Sequence, residues 1–342
     1  MKERKTPAFL SSIFFVKQQK KEAYNFMHCL NAKQFDRSFL EEICKLADTI
    51  RLLNKDKQKA DELATLLSHK RAILYFAQPS TRTFLSFQTA CQILGIKTSD
   101  VRDTSTSSEV KGESEEDTVK TFASYFDLII MRHHKAGFVD EIAKMLDLCM
   151  LPRSVPVINA GSGKDEHPTQ ALLDVYTLVR AFKGGIDNKH IAFVGDLKRG
   201  RTARSLSYLL TNFQNIKQYF VAPKTLQISK NVLNYLDKQN INYELTENFD
   251  SILPVVDAVY MTRTQSEWDK PNILDCNYSI DKNNLSLLHP RSVIMHPLPR
   301  KNEISPEVDS DTRAVYWQQA RNGLWIRAAL MAYVFEIGSQ LL

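Results

Sequence analysis

"RAILYFAQPSTRTFLSFQTACQIL", residues 71–94, reads as a strand, a polar turn and a helix in immediate succession. The apolar run that opens it is continuous rather than alternating, as a strand buried on both faces requires, and "FLSFQTACQIL" carries apolar residues at helical spacing. Between them stand Ser80, Thr81, Arg82 and Thr83. Hydroxyls at a helix start accept from orphan backbone N–H groups, so a plain helix cap is one reading of this turn. An anion cradle is the other, because a helix N-terminus offers N–H groups and a favourable dipole, and Arg82 adds a bidentate donor.

The same pattern recurs along the chain. "DLIIM" (127–131), "VPVIN" (155–159), "HIAFVGD" (190–196), "QYFVA" (218–222), "AVYMT" (258–262) and "SVIMH" (292–296) are short apolar runs separated by helical patterns. That alternation predicts an α/β protein of two doubly wound domains, each a parallel sheet flanked by helices. "FDRSFLEEICKLADTIRLL" (35–53) predicts a helix capped by Asp36 or Ser38, with Phe39, Ile43, Leu46 and Ile50 on one face. The boundary is expected at the helix "HPTQALLDVYTLVRAF", giving an extension over 1–25, a first domain over 26–166 and a second over 167–322. The last helix, "GLWIRAALMAYVFEI", follows the second sheet, so the segment 323–342 is expected to pack back on the first domain.

At 342 residues, 43% hydrophobic and 25% charged, the chain has the composition of an ordinary globular protein with room for two cores. The net charge of +6 is concentrated in the first 22 residues, which hold five Lys and one Arg against two Glu. No basic stripe interleaved with aromatics follows, so nucleic acid is not an expected partner. The basic and then apolar start resembles a weak signal peptide, but Lys17, Gln18 and Lys20 stand where a small-residue cleavage site belongs. Five scattered cysteines without metal-ligand spacing favour a reduced, cytoplasmic compartment, and no run is long enough to span a membrane. "DTSTSSEVKGESEED" (103–117), polar and hinged at Gly112, is expected to be a mobile loop.

The unusual polar residues follow the apolar runs. Arg82, Arg132, Arg201 and Arg263 each stand just beyond one, as do His167, Gln170, Pro297 and Leu298. Open parallel sheets bind their ligands beyond the strands' carboxyl ends, and four arginines there call for a polyanion. His167, before Pro168 at the first helical turn, and Gln170 one turn in can face one spot and serve a carbonyl and an amide. His133 and His134 lack metal-ligand spacing and are read as structural. "GDLKRGRT" has neither GxGxxG nor GxxxxGK[ST], and no GxSxG is present, which leaves nucleotide-loop and acyl-enzyme readings weak.

Taken in order, "PSTRT", "VKGES", "MRH", "HPTQALLD", "GDLKRGRT", "MTRTQ" and "HPLPR" resemble the catalytic chain of the aspartate carbamoyltransferases, from about Phe35 to the C-terminus. The resemblance implies carbamoyl transfer from carbamoyl phosphate to L-aspartate in pyrimidine synthesis, by a homotrimer with shared sites. It implies a first domain that binds carbamoyl phosphate and a second that binds aspartate, with no cofactor and no metal. Ser80, Thr81, Arg82 and Thr83 would cradle the phosphate, while Thr83, Arg132 and His167 would polarise the carbonyl. Gln170 and the backbone carbonyls of Pro297 and Leu298 would hold the carbamoyl amide. Arg201 would take the α-carboxylate of aspartate, Arg263 and Gln265 its β-carboxylate, and Lys111 would reach into a neighbouring subunit's site. The chain departs from the pattern at Phe84, where many relatives carry a second Arg. Two alternatives are an ornithine carbamoyltransferase, which usually shows Cys in place of Thr169 and "HCLP" in place of "HPLP", and a non-catalytic carbamoyl phosphate-binding homologue. A regulatory chain is a further possible partner.

Overall fold

The computed structural model describes residues 28–102, 112–149, 153–163, 166–263 and 278–342. In chain order the first part runs α1 (Arg37–Leu53), α2 (Lys57–Leu63), β1 (Arg71–Phe76), α3 (Thr81–Ile93), β2 (Lys97–Val101), α4 (Glu115–Tyr125), β3 (Leu128–Arg132), α5 (Phe138–Leu148) and β4 (Val157–Asn159). The remainder runs α6 (Pro168–Ala181), β5 (His190–Val194), α7 (Arg201–Leu210), β6 (Lys217–Val221), α8 (Lys230–Lys238), β7 (Asn242–Thr246), β8 (Ala258–Met261), α9 (Lys282–Leu285), β9 (Val293–Met295), α10 (Tyr316–Val334) and α11 (Gly338–Leu341). The strands form two parallel sheets, ordered β2-β1-β3-β4 and β7-β6-β5-β8-β9.

Alternation along β1 explains the continuous apolar run. Ile73 and Tyr75 face Val119, Val139 and Ile142 of α4 and α5. Ala72, Leu74 and Phe76 point the other way, into a core with Phe39, Phe87 and Ile326. Both faces of the strand are thus apolar and covered, at roughly 1.5–3 kcal/mol for each large side chain removed from water. The second sheet repeats this arrangement. Val194, Met261 and Ile294 pack on Leu253 and Tyr316, whereas Phe193, Phe220 and Tyr260 join the same large core as β1.

That shared core is why α6 and α10 matter to the site. Both are buried nearly all round, and α10 packs on α1, α3 and α6 after the second sheet is complete. The return of the C-terminal helix to the first sheet's helices is therefore as expected, although it begins seven residues before the apolar segment at Gly323. Asp36 caps α1, its carboxylate accepting from the Phe39 N–H. The strands β2 and β7, which no apolar run marks, are half-exposed outer strands. Among the described residues, no helix is long and apolar enough to cross a membrane.

In each sheet the strand order reverses between two neighbours, β1 and β3 in the first and β5 and β8 in the second. Those four strands lead into Arg82, Arg132, Arg201 and Arg263. The crevice beyond such a reversal is where an open sheet offers ligands the most backbone and side-chain donors.

Candidate active site

A cavity of about 810 Å³ lies where the carboxyl ends of the two sheets face each other. Ser80, Thr81, Arg82, Thr83, Arg132, His167, Gln170, Arg201, Arg263, Pro297 and Leu298 all line it. Lys111 and Gln265 lie outside the described residues.

The turn after β1 builds one wall. Ser80 occupies the N-cap position of α3, yet its side chain makes no capping bond and its Oγ instead donates to Thr83 Oγ1 at 3.0 Å. The first turn of the helix, with its dipole, is presented to the cavity rather than closed by a cap. Phe84 turns away into the core, edge-on to Phe76, and Arg102 covers its ring. Its departure from the Arg of many relatives is thus a change in packing behind the turn.

Arg132, at the end of β3, is buried. Its Nη1 donates to the Ala160 carbonyl at 3.2 Å, its Nε has no partner, and no carboxylate pairs with it among the described residues. Burial foremost, then Arg201 and Arg82 nearby, pushes it down to about 9. Arg82 is lowered in the same direction by burial and by Arg263. Cations held this close lower one another's affinity for protons, and an arriving anion relieves that repulsion. Arg201, at the start of α7, crosses to the first domain's side, where Nη1 donates to the Gly163 carbonyl at 2.5 Å and reaches Gln78 Oε1 at 3.4 Å.

His167 sits at the N-cap of α6 with its backbone N–H on Ser205 Oγ at 3.1 Å. Its ring is buried, and burial first, then Arg201, Arg132 and Arg327, holds it well below the usual histidine range, so it is neutral. Nδ1 makes a long contact, 3.5 Å, with Thr169 Oγ1. Gln170, one turn on, donates from Nε2 to Asp174 Oδ1 at 2.9 Å.

Several residues at this site were not singled out from sequence. Gly161, at φ +110°, lets Arg132 and His167 lie side by side. Asp174, wholly buried, also accepts from Tyr260 and Gln319. Arg327 is buried in the cavity floor, donating to Ser86 Oγ at 2.7 Å, and burial lowers it to about 10. Asp174 carried a signal, being an acid within the otherwise apolar "ALLDVY" and one turn from Gln170.

Glu115, His133 and His134 bring three potential metal ligands within 4.8 Å of one another. Two of their ligand atoms, Glu115 Oε2 and His133 Nδ1, are already engaged. Lys135 Nζ holds Glu115 Oε2 at 2.6 Å, and the Lys135 backbone N–H donates to His133 Nδ1 at 3.2 Å. That leaves the ring proton of His133 on Nε2, 3.5 Å from Glu115 Oε1. The group forms a knot around the Glu115–Lys135 ion pair at the start of α4, with His133 buried and His134 exposed, and it gathers ligand-type side chains that the sequence spacing did not group.

Comparison with known proteins matches both halves. The carbamoyl-P binding domain of aspartate/ornithine carbamoyltransferase matches residues 27–180, and the Asp/Orn binding domain matches residues 187–334. The chain belongs to the aspartate/ornithine carbamoyltransferase family. It is 40% identical over 312 residues to the chloroplastic aspartate carbamoyltransferase of Oryza sativa subsp. japonica, covering 88% of this chain and 83% of that one. It is 39% identical over 315 residues to the aspartate carbamoyltransferase catalytic subunit of Clostridium novyi, covering 90% and 97%. Among solved structures, aspartate transcarbamoylase from Trypanosoma cruzi with carbamoyl phosphate aligns at a TM-score of 0.78 and 34% identity, over 89% of this chain and 94% of that one. The same T. cruzi enzyme with carbamoyl aspartate and phosphate aligns at 0.79. The two walls of this chain's cavity come from the two matched domains.

Proposed function

We infer that this carbamoyltransferase moves the carbamoyl group of carbamoyl phosphate to the amine of L-aspartate, giving N-carbamoyl-L-aspartate and phosphate. The observation that carries the reading is the convergence of four arginines from both sheets on one cavity, beside a buried neutral imidazole. The T. cruzi relative has been crystallised with carbamoyl phosphate, with both substrates and with the product pair, which fits the same chemistry.

In this reading Ser80, Thr81, Arg82 and Thr83 hold the phosphate, and Arg132 spans phosphate and carbonyl oxygen. His167, with Nδ1 turned to Thr169, offers Nε2–H to that oxygen. The aspartate amine attacks the carbonyl carbon, and the π pair moves onto the oxygen, where Thr83, Arg132 and His167 stabilise it. Collapse re-forms the carbonyl and breaks the bond from carbon to the bridging oxygen. Phosphate departs with that electron pair and takes the amine proton. Most of the acceleration then comes from placing amine against carbonyl and from the prearranged donors, without a covalent enzyme intermediate.

Arg201 and Arg263, with Gln265, receive the two aspartate carboxylates. A cationic ornithine side chain would meet Arg263 instead, which argues for aspartate over ornithine. We further propose that the chain forms homotrimers in which Lys111 completes a neighbour's site, and that it works in the cytoplasm, which its free Cys29, Cys44, Cys91 and Cys149 support. Carbamoyl transfer assayed with aspartate and ornithine side by side tests the function. Turnover confined to ornithine, or tight carbamoyl phosphate binding with no turnover, would overturn it.

A further inference from the structure

We propose that Asp174 is a positioning residue that makes this site select a carbamoyl group over an acyl group, by fixing both sets of acceptors that meet the carbamoyl amide. The proposal rests on the functional reading above and extends it from which residues touch the amide to what orients them.

Asp174 is wholly buried in α6, behind the cavity wall. Its Oδ1 accepts from Gln170 Nε2 at 2.9 Å and from Gln319 Nε2 at 2.7 Å, and its Oδ2 accepts from the Tyr260 hydroxyl at 2.8 Å. An oxygen that accepts two amide N–H groups dictates which way round both amides stand. Gln170, which lines the cavity, must give its nitrogen to Asp174 and keeps Oε1 as the amide atom left for a ligand. Gln319 must likewise turn Oε1 away from Asp174, and that oxygen accepts the His296 backbone N–H at 2.9 Å. His296 in turn accepts the Leu298 N–H on Nδ1 at 2.7 Å, and its Nε2 meets Glu303 Oε1 at 2.8 Å. Leu298 is held at φ +56°, a conformation a leucine keeps only where its surroundings impose it. One carboxylate oxygen therefore stands behind the Gln170 acceptor on one side and, through Gln319 and His296, behind the Pro297–Leu298 segment on the other.

The consequence is chemical. A carbamoyl group presents two N–H donors where an acetyl group of nearly the same shape presents a methyl. Acceptors locked towards the ligand are satisfied by the first and left unpaired by the second, which is how a pocket discriminates between such isosteres. A Gln170 free to turn could offer its own N–H groups instead and would tolerate either.

The test is direct binding of carbamoyl phosphate, acetyl phosphate and inorganic phosphate to the full-length protein, with steady-state carbamoyl transfer alongside. Asp174→Leu removes the acceptor, and the preference for carbamoyl over acetyl phosphate is expected to fall about 10- to 100-fold, with acetyl phosphate and phosphate affinity held within about twofold. Asp174→Asn restores the preference, because its Oδ1 can still accept from both glutamines. Gln319→Met, which cuts only the arm to His296, loses part of the preference and serves where the leucine variant does not fold. Parallel weakening of all three ligands, or full preference in both Asp174→Leu and Gln319→Met, would overturn the proposal. A wild-type protein that binds phosphate and acetyl phosphate but gains nothing from the carbamoyl group would instead overturn the functional reading beneath it.

Discussion

Gly161 leaves no room for a side chain beside Arg132: a carbon added to Gly161 would lie 2.5 Å from Arg132 Nη1, and 3.1 and 3.3 Å from His167 Cδ2 and Nε2. The glycine also stands at φ +110°, where other residues are strained. Gly161→Ala is therefore expected to push apart the two donors proposed to share the carbonyl oxygen. Displacements of this size in a positioned site cost about 10²-fold in kcat/KM, while the fold keeps its core. Steady-state kinetics beside a thermal melt checks this, and near-normal turnover would show that Arg132 and His167 are not needed together.

His167 gives a second, separable expectation. Being neutral and buried, it would act in the proposed reaction as a hydrogen-bond donor rather than a charge, and a donor to a carbonyl matters most as negative charge develops on it. His167→Ala should lower kcat by roughly 10²- to 10³-fold with little change in carbamoyl phosphate affinity. An effect confined to affinity would make it a ground-state contact only.

The knot at Glu115 yields a prediction about pH. Burial foremost, and then His134 and Lys135 against the opposing pull of Glu115, lowers His133 from the ordinary 6.5 to about 4. The unfolded chain then takes up a proton near pH 6.5 that the folded chain refuses until about pH 4. Stability contributed by neutral His133 is thus present above pH 6.5 and is lost as pH falls towards 4. His133→Asn keeps an acceptor for the Lys135 N–H but cannot titrate. Its urea midpoint should start lower at pH 8, from lost stacking on His134 and Phe138, and fall less than wild type's on going to pH 5. Equal falls in the two proteins would place the pH sensitivity elsewhere.

The site's cations were legible in the sequence because a parallel sheet ties a simple signal, an apolar run that ends, to a fixed place in space. Arg82, Arg132, Arg201 and Arg263 all follow such runs and all line one cavity. Other features were hidden for physical reasons. The strands "KTSDV" and "NYELT" lie at sheet edges, half in water, so they carry no apolar run. The helix α10 starts at Tyr316 because Gln319 and Asn322 are buried, bonded to Asp174 and Thr177, so polar residues there are not a sign of solvent. Asp174 itself takes its meaning from Tyr260 and Gln319, 86 and 145 residues further on, and no local pattern reports partners so distant.

The shared-site proposal makes the last prediction. Lys111 would complete an adjacent subunit's cavity, whereas Arg82 and His167 line the cavity of their own chain. Lys111→Ala and Arg82→Ala chains should each be nearly inactive alone, since one lacks the incoming cation and the other the guanidinium on the departing phosphate. Dissociated, mixed and reassembled, they should recover part of the wild-type rate, because some interfaces then join an intact Lys111 to a cavity with an intact Arg82. Arg82→Ala mixed with His167→Ala provides the control. Those two residues belong to one chain's cavity, so no assortment of subunits rebuilds a whole site and no recovery is expected. Native mass measurement establishes that exchange has taken place in both mixtures. A first mixture that stays inactive after proven exchange would mean that Lys111 acts within its own chain, and the proposal of sites shared between subunits would fall with it.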